Sequence, residues 1–317
     1  MFEDFANIWT MVALGRDLLP GKPLPLVVAG ERVVLFRDAA GAPAALLDRC
    51  PHRGAALSLG CVEQGEIQCP FHGWRFGSDG RCLYTPWNPD AKRDTFSAIS
   101  LPVREAGGVL WLFTGPGPAP GEPVPPEALL RPDLHVFEQS VVWKVHWTRV
   151  MENMLDSPHV AFVHPKTFGG PVARILKAHP GARMEMRFEP HEQGGRIAAA
   201  IDGEERAAAL DYRFPNLMEL TLDPKGRLLR ILAVCIPLSA TETRLMIVTA
   251  RGFLRSRLLD PLFVRANRRI AEEDRAIVES SLPPIVPSPE QEKSVATDVA
   301  TLAFRRVYRQ KLLGSRA

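Results

Sequence analysis

The chain has 317 residues, of which 46% are hydrophobic and 24% charged, with a formal net charge of +3. That balance argues against disorder as the main state, and so small a charge does not predict a nucleic-acid partner. Five cysteines, an odd number at low density, argue against a secreted disulfide scaffold.

The N-terminus, Met1-Phe2-Glu3-Asp4-Phe5, is acidic and lacks the basic and apolar regions of a signal peptide. The apolar stretch 231–238 is broken by Pro237 and falls short of the ~20 residues needed to span a bilayer. A cytoplasmic protein without a membrane span is expected, in which clustered cysteines ligate metal rather than pair.

Residues 21–113 read as short strands. Segments 26–29 and 32–36 flank a hairpin signal at Gly30-Glu31, a turn follows at 39–43, and 44–47 and 109–113 are further strands. No helical period is sustained, which predicts a small all-β domain over 1–113. Residues 114–133 carry Pro116, Pro118, Pro120, Pro123, Pro125, Pro126 and Pro132. Proline fixes φ and removes a donor, so this stretch is expected to be an extended linker without helix or strand. The remainder, 134–317, mixes both types. Residues 142–155 read as helix or strand-then-helix. Strand-like segments at 184–188, 197–201, 217–222, 228–236 and 244–248 predict an antiparallel sheet, and 255–280 and 297–313 predict helices. The chain as a whole is expected to be α+β.

Within the first domain, Cys50-Pro51-His52 and Cys69-Pro70-Phe71-His72 place one thiol and one imidazole in each of two loops, sixteen residues apart. A Cys2His2 zinc site uses the same atoms, but zinc fingers pair Cys with Cys and His with His. One Cys and one His per loop suits a [2Fe–2S] cluster with both thiolates on one iron and both imidazoles on the other, an arrangement that raises the reduction potential. Trp74 and Phe71 read as packing that keeps water off this centre. Cys61, Cys82 and Cys235 fit no ligand spacing and read as small buried hydrophobes.

In Glu152-Asn153-Met154-Leu155-Asp156-Ser157-Pro158-His159 and on to His164-Pro165, helical spacing aligns Asn153, Asp156 and His159. His164 lies about 140° further round an ideal helix, so the two imidazoles converge only if the helix bends or ends. Pro158 and Pro165 supply the break. Two convergent histidines suit non-haem ferrous iron, which takes two His and one carboxylate and leaves positions open for dioxygen. The carboxylate comes from elsewhere. Around Asp274, apolar residues stand at 270, 271, 277 and 278, which predicts that Asp274 lies in a buried stripe. A buried carboxylate needs a cation, either iron or an arginine such as Arg268 or Arg269. Glu273 is the alternative ligand.

Taken in order, these three blocks resemble the catalytic subunit of a Rieske non-haem iron oxygenase, most nearly the short monooxygenase and O-demethylase group. The likeness covers nearly the whole chain, including the stretch from Thr297-Asp298 to Arg305-Arg306. It implies an N-terminal all-β Rieske domain followed by a helix-grip catalytic domain. It implies that Cys50, His52, Cys69 and His72 hold the cluster and that His159, His164 and Asp274 hold mononuclear Fe(II). Asp156 would bridge His72 of one subunit to His159 of its neighbour in a homotrimer, with Asn153 close to the iron. Electrons from NAD(P)H would arrive through a flavin or iron–sulfur reductase, with or without a ferredoxin. Dioxygen would then hydroxylate, or oxidatively demethylate, a mostly apolar or aromatic small molecule. Two alternatives stand: a dioxygenase that cis-dihydroxylates an aromatic ring, and a protein that keeps the cluster alone for electron transfer or redox sensing.

Overall fold

Apolar runs punctuated by glycine and proline make strands of the first part of the chain. The structure, a computed structural model, describes residues 1–205, 209–288 and 290–314. It divides into two compact units, Met1–Leu130 and Arg131–Ala317. In the first, the strands run β1 (Trp9–Leu14), β2 (Leu24–Val28), β3 (Glu31–Arg37), β4 (Pro43–Leu47), β5 (Cys61–Glu63), β6 (Glu66–Gln68), β7 (Arg75–Phe76), β8 (Cys82–Tyr84), β9 (Ser100–Leu101), β10 (Val103–Ala106) and β11 (Val109–Phe113). They form three small sheets, ordered β1-β11-β10, β2-β3-β4-β9 and β5-β6-β7-β8. In the β2–β3 hairpin Val28 pairs with Glu31, so the two turn residues are Ala29 and Gly30, at φ 46° and 79°. Positive φ at both positions is the type I′ solution that matches strand twist, and it sets the turn one residue earlier than Gly30-Glu31. Val34, Phe36, Leu46, Leu57, Ile67 and Phe76 form a core that also takes in Cys50 and Cys69.

The proline-rich stretch is not wholly without helix. One turn, α1 (Glu127–Leu130), follows Pro125-Pro126. Proline ahead of a first turn loses no helical hydrogen bond, which is why it starts a helix where it cannot continue one.

The second unit runs β12 (His135–Trp143), α2 (Trp147–Leu155), α3 (Val160–Val163), α4 (Gly170–Ala178), β13 (Met184–His191), β14 (Gly194–Ile201), β15 (Glu204–Glu205), β16 (Ala209–Arg213), β17 (Leu217–Thr221), β18 (Leu229–Ser239), β19 (Glu242–Arg251), α5 (Asp260–Val278) and α6 (Val299–Val307). Its sheet is antiparallel in the order β12-β19-β18-β17-β16-β14-β13, with β15 beside β14. Helix α5 lies against β12 and α2. Its buried residues are Asn267, Ala271, Asp274 and Val278, a stripe with steps of four, three and four. Asp274 is 4% exposed, but Ile277 is 57% exposed and lies off the expected stripe. The helix starts at Asp260 rather than 255 because Ser256 caps a preceding tight turn, accepting from Leu258 N–H, and Pro261 then occupies the first turn. After α6 the chain widens into a π turn, Tyr308–Leu313. Among the described residues, no helix is long and apolar enough to cross a membrane.

Helix α2 is tied to α6 by a closed ring of charge. Arg149 donates to Glu152 (2.9 Å) and Glu292 (2.7 Å), and Arg305 donates to the same two carboxylates. Arg149, Glu152 and Arg305 are buried. Removing one member of such a ring would strand a charge in the interior, at a cost of about 3–5 kcal/mol.

Candidate metal centres

Local backbone geometry builds the first centre. Cys50 opens the loop between β4 and β5, and Cys69 the loop between β6 and β7. In the first loop Cys50 N–H donates to Ala55 O, and Gly54 N–H donates to Cys50 O. In the second, Cys69 N–H donates to Trp74 O, and Gly73 N–H donates to Cys69 O. The same Cys-Pro-x-x-Gly turn is therefore made twice. Gly54 and Gly73, at φ 73° and 70°, close it in a conformation that favours glycine. Only the histidine shifts, from the third loop position (His52) to the fourth (His72).

Both cysteines are buried and both histidines are exposed. The imidazoles face each other with ring centroids 4.6 Å apart, and His52 stacks flat on Trp74 at 4.5 Å. Burial, with the Cys69 thiol beside it, pushes the Cys50 thiol up to about 11. Such a thiol gives up its proton only to a strong cation, as a metal–sulfur centre provides. Desolvation, His72 and Arg53 hold His52 below the ordinary histidine value, which favours the neutral form that ligates metal. Trp74 packs as expected, whereas Phe71 is 60% exposed. Among the other cysteines, Cys82 and Cys235 are buried and Cys61 is half-buried.

The second centre forms where α2 stops. Asp156 caps its C-terminus, donating its N–H to Glu152 O and Asn153 O. Residues 157–158 turn the chain, and the single turn α3 follows, with His159 at its start and His164 at its end. The break between the two helices lets imidazoles five residues apart converge, with ring centroids 5.4 Å apart. Asp274 reaches them from α5. Its Oδ1 lies 3.0 Å from His164 Nε2 and 3.5 Å from His159 Nε2.

The other ring nitrogens decide what those contacts are. His164 Nδ1 lies 2.8 Å from Glu273 Oε2. Thr167 hydroxyl (3.0 Å) and Arg269 Nε (3.2 Å) also donate to the Glu273 carboxylate. In the neutral ring, a carboxylate at Nδ1 fixes the proton there and leaves Nε2 a bare lone pair. His164 Nε2 and Asp274 Oδ1 are then two acceptors 3.0 Å apart, buried and without a hydrogen-bond donor among the described residues. That is unfavourable unless a cation, a proton or a metal ion, lies between them. Ligands at right angles on a metal with bonds of about 2.1 Å stand about 3 Å apart, the spacing of the His164–Asp274 pair, and all three donor atoms lie within 4.8 Å of one another. Burial opposes charge on His164, yet Asp274 and Glu273 hold its pKa above the ordinary histidine value. The spot therefore draws positive charge.

His159 Nδ1 lies 3.5 Å from Asp156 Oδ2. Asn153 Nδ2 is sealed in protein with no partner among the described residues. All five of Asn153, Asp156, His159, His164 and Asp274 line a cavity of about 360 Å³ whose walls come from α2, α3, α4, α5 and the sheet. Met184, Ile201, Leu220, Ile231 and Leu245 are among the apolar residues around it, and among the described residues no lysine or arginine lines it.

Glu273 is the residue whose role the sequence concealed. It stands next to Asp274, and helix neighbours point about 100° apart. One therefore reaches the metal position and the other the back of a ligand. Glu273→Ala is expected to weaken iron binding at this site by about 10–100-fold. Chelator competition measures it, with the visible absorption of the first centre as an unchanged internal reference.

Residues 8–97 match the model of the Rieske [2Fe-2S] domain, and 143–313 that of the vanillate O-demethylase oxygenase C-terminal domain. The chain is 35% identical over 244 residues to the phenoxybenzoate dioxygenase alpha subunit of Ectopseudomonas oleovorans, covering 69% of this chain and 57% of that one. It is 36% identical over 179 residues to 4beta-methylsterol monooxygenase of Methylococcus capsulatus, covering 54% and 48%. Across such curated relatives the chain spans only 29% to 57% of their length. Among solved structures, NdmA of Pseudomonas putida CBB5 shares the fold with a TM-score of 0.79 at 24% identity, covering 98% of this chain and 91% of that one.

Proposed function

The chain belongs to the Rieske oxygenases, and on that premise we propose that it is the terminal oxygenase of a multicomponent system that inserts oxygen into a neutral, apolar small molecule. The observation that carries this reading is the convergence of His159 Nε2, His164 Nε2 and Asp274 Oδ1 at the wall of an apolar cavity. When bound, a Rieske cluster supplies single electrons, and ferrous iron supplies dioxygen activation.

The residues do the rest. Cys50, His52, Cys69 and His72 hold the cluster, and His159, His164 and Asp274 hold the iron. Glu273 fixes the tautomer of His164, and Asp156 places a negative charge 3.5 Å from His159 Nδ1, a ring nitrogen with no hydrogen-bond partner among the described residues. Asp156 is also half-exposed, which suits it to meet His72 of a neighbouring subunit in a homotrimer. Apolar strand residues exclude water around the substrate. Among the described residues the charged side chains in the cavity wall are the acids Asp156 and Asp274, with no lysine or arginine, so a neutral substrate is favoured over a carboxylated one. A reductase fed by NAD(P)H supplies electrons, and the protein works in the cytoplasm.

Metal analysis and oxygen uptake test this reading. The purified protein should hold about three irons per chain, two in the cluster and one at the trio. A protein that only transfers electrons or senses redox state would hold about two by the same count. With reductase and NAD(P)H, labelled dioxygen should place one labelled atom in the product. Two labelled atoms would make it a dioxygenase, and no substrate-dependent uptake would end the oxygenase reading.

A further inference from the structure

Asn267 stands two turns before Asp274 on α5, on the same buried stripe, and is 8% exposed. It lines the cavity. Its Nδ2 donates to the hydroxyl of Thr249, 2.9 Å away on β19 and itself 1% exposed. That bond points the amide one way. Its Oδ1 takes no hydrogen bond from the described residues, yet it is not among the sealed side-chain atoms, unlike Asn153 Nδ2. It therefore opens as a free acceptor on a cavity whose other polar lining residues, among those described, are Asn153, Asp156, Ser157, His159, His164 and Asp274.

We propose that Asn267 Oδ1 anchors the substrate, accepting a hydrogen bond from a hydroxyl or N–H on an otherwise apolar, neutral molecule. This rests on the oxygenase reading and adds the polar handle that the substrate must carry. An acceptor left unpaired in an apolar site disfavours a ligand that cannot donate to it, so it selects by chemistry as well as by shape. Seven residues at 1.5 Å each set Asn267 on the order of 10 Å from Asp274 along the helix. The donor group thus sits at the opposite end of the molecule from the carbon that reacts, across a scaffold about two rings long.

Four biphenyls test the anchor on the iron-loaded, unreduced enzyme by calorimetric titration: 4-phenylphenol (donor), 4-methoxybiphenyl (acceptor only), biphenyl, and biphenyl-4-carboxylate. The phenol should bind about 5–10-fold more tightly than the ether, the value of one hydrogen bond. The preference should vanish in Asn267→Leu. It should shrink in Thr249→Val, which frees the amide and decides the matter if the first variant fails to fold. Equal affinities in the native enzyme, tighter binding of the ether, a preference that survives both substitutions, or no binding by any probe would overturn the anchor. Tight binding of the carboxylate would instead sink the neutral-substrate reading, and a missing third iron the oxygenase reading.

Discussion

Asp274→Ala should abolish substrate oxidation, by about 10³-fold or more, while leaving the visible spectrum of the cluster intact. The size follows from the several kcal/mol of charge stabilisation that a catalytic metal supplies. Asp274 is the only acid in the trio, and its carboxylate offsets the charge of a divalent ion that two neutral imidazoles leave uncompensated. Glu273 does not rescue the site. It is engaged by His164, Thr167 and Arg269, and these contacts together hold its pKa below the ordinary range despite partial burial. Turning it toward the metal would release His164 from its tautomer. The check is iron content, expected to fall from about three to about two per chain by the ligand count, with the reduced cluster's electron paramagnetic signal unchanged. Full occupancy of the third iron in the variant would place its carboxylate ligand elsewhere.

Asp156→Asn is expected to keep all the iron and lose turnover by about 100-fold, the upper end for a group that orients a ligand. Asparagine matches aspartate in size, so the cap of α2 and its bonds to Glu152 O and Asn153 O survive. What is lost is the negative charge beside His159 Nδ1, 3.5 Å away, and with it the bridge proposed between subunits. The discriminating measurement is a single turnover from the reduced cluster without further reductant. Cluster oxidation should slow in step with product formation, and substrate affinity should stay put. Normal, fully coupled activity would remove Asp156 from the electron path.

How much of this was legible in the sequence depends on range. The cluster loops were legible because ligands and turn residues lie within five positions of each other. Even there, the equivalence of Gly54 to Gly73 appears only once both turns are seen. Asp274 was legible because a carboxylate in an apolar stripe announces its burial, although Ile277 shows that the stripe was drawn one residue too wide. The convergence of His159 and His164 was legible from the two prolines.

Strand β12 was missed as a strand because its ladder partner β19 lies about a hundred residues downstream. Strand β16 was missed because Asp211 and Arg213 interrupt its apolar pattern. The clasp of Glu273 on His164, 109 residues apart, the Asn267–Thr249 bond and the ring joining Arg149 to Arg305 leave no local signal. Each exists only because the sheet brings distant segments together.

The twin loops have one more consequence. Sulfur faces inward among Val34, Phe36 and Ile67, while the two imidazoles break the surface. A centre mounted in this way behaves like a wire insulated along its length and bared at the tip. With the cluster held by these four residues as proposed, an electron crossing anywhere but at His52 or His72 would tunnel through an extra layer of packed hydrocarbon. The wrapping of one small domain would then set the direction of the current, before any partner arrives.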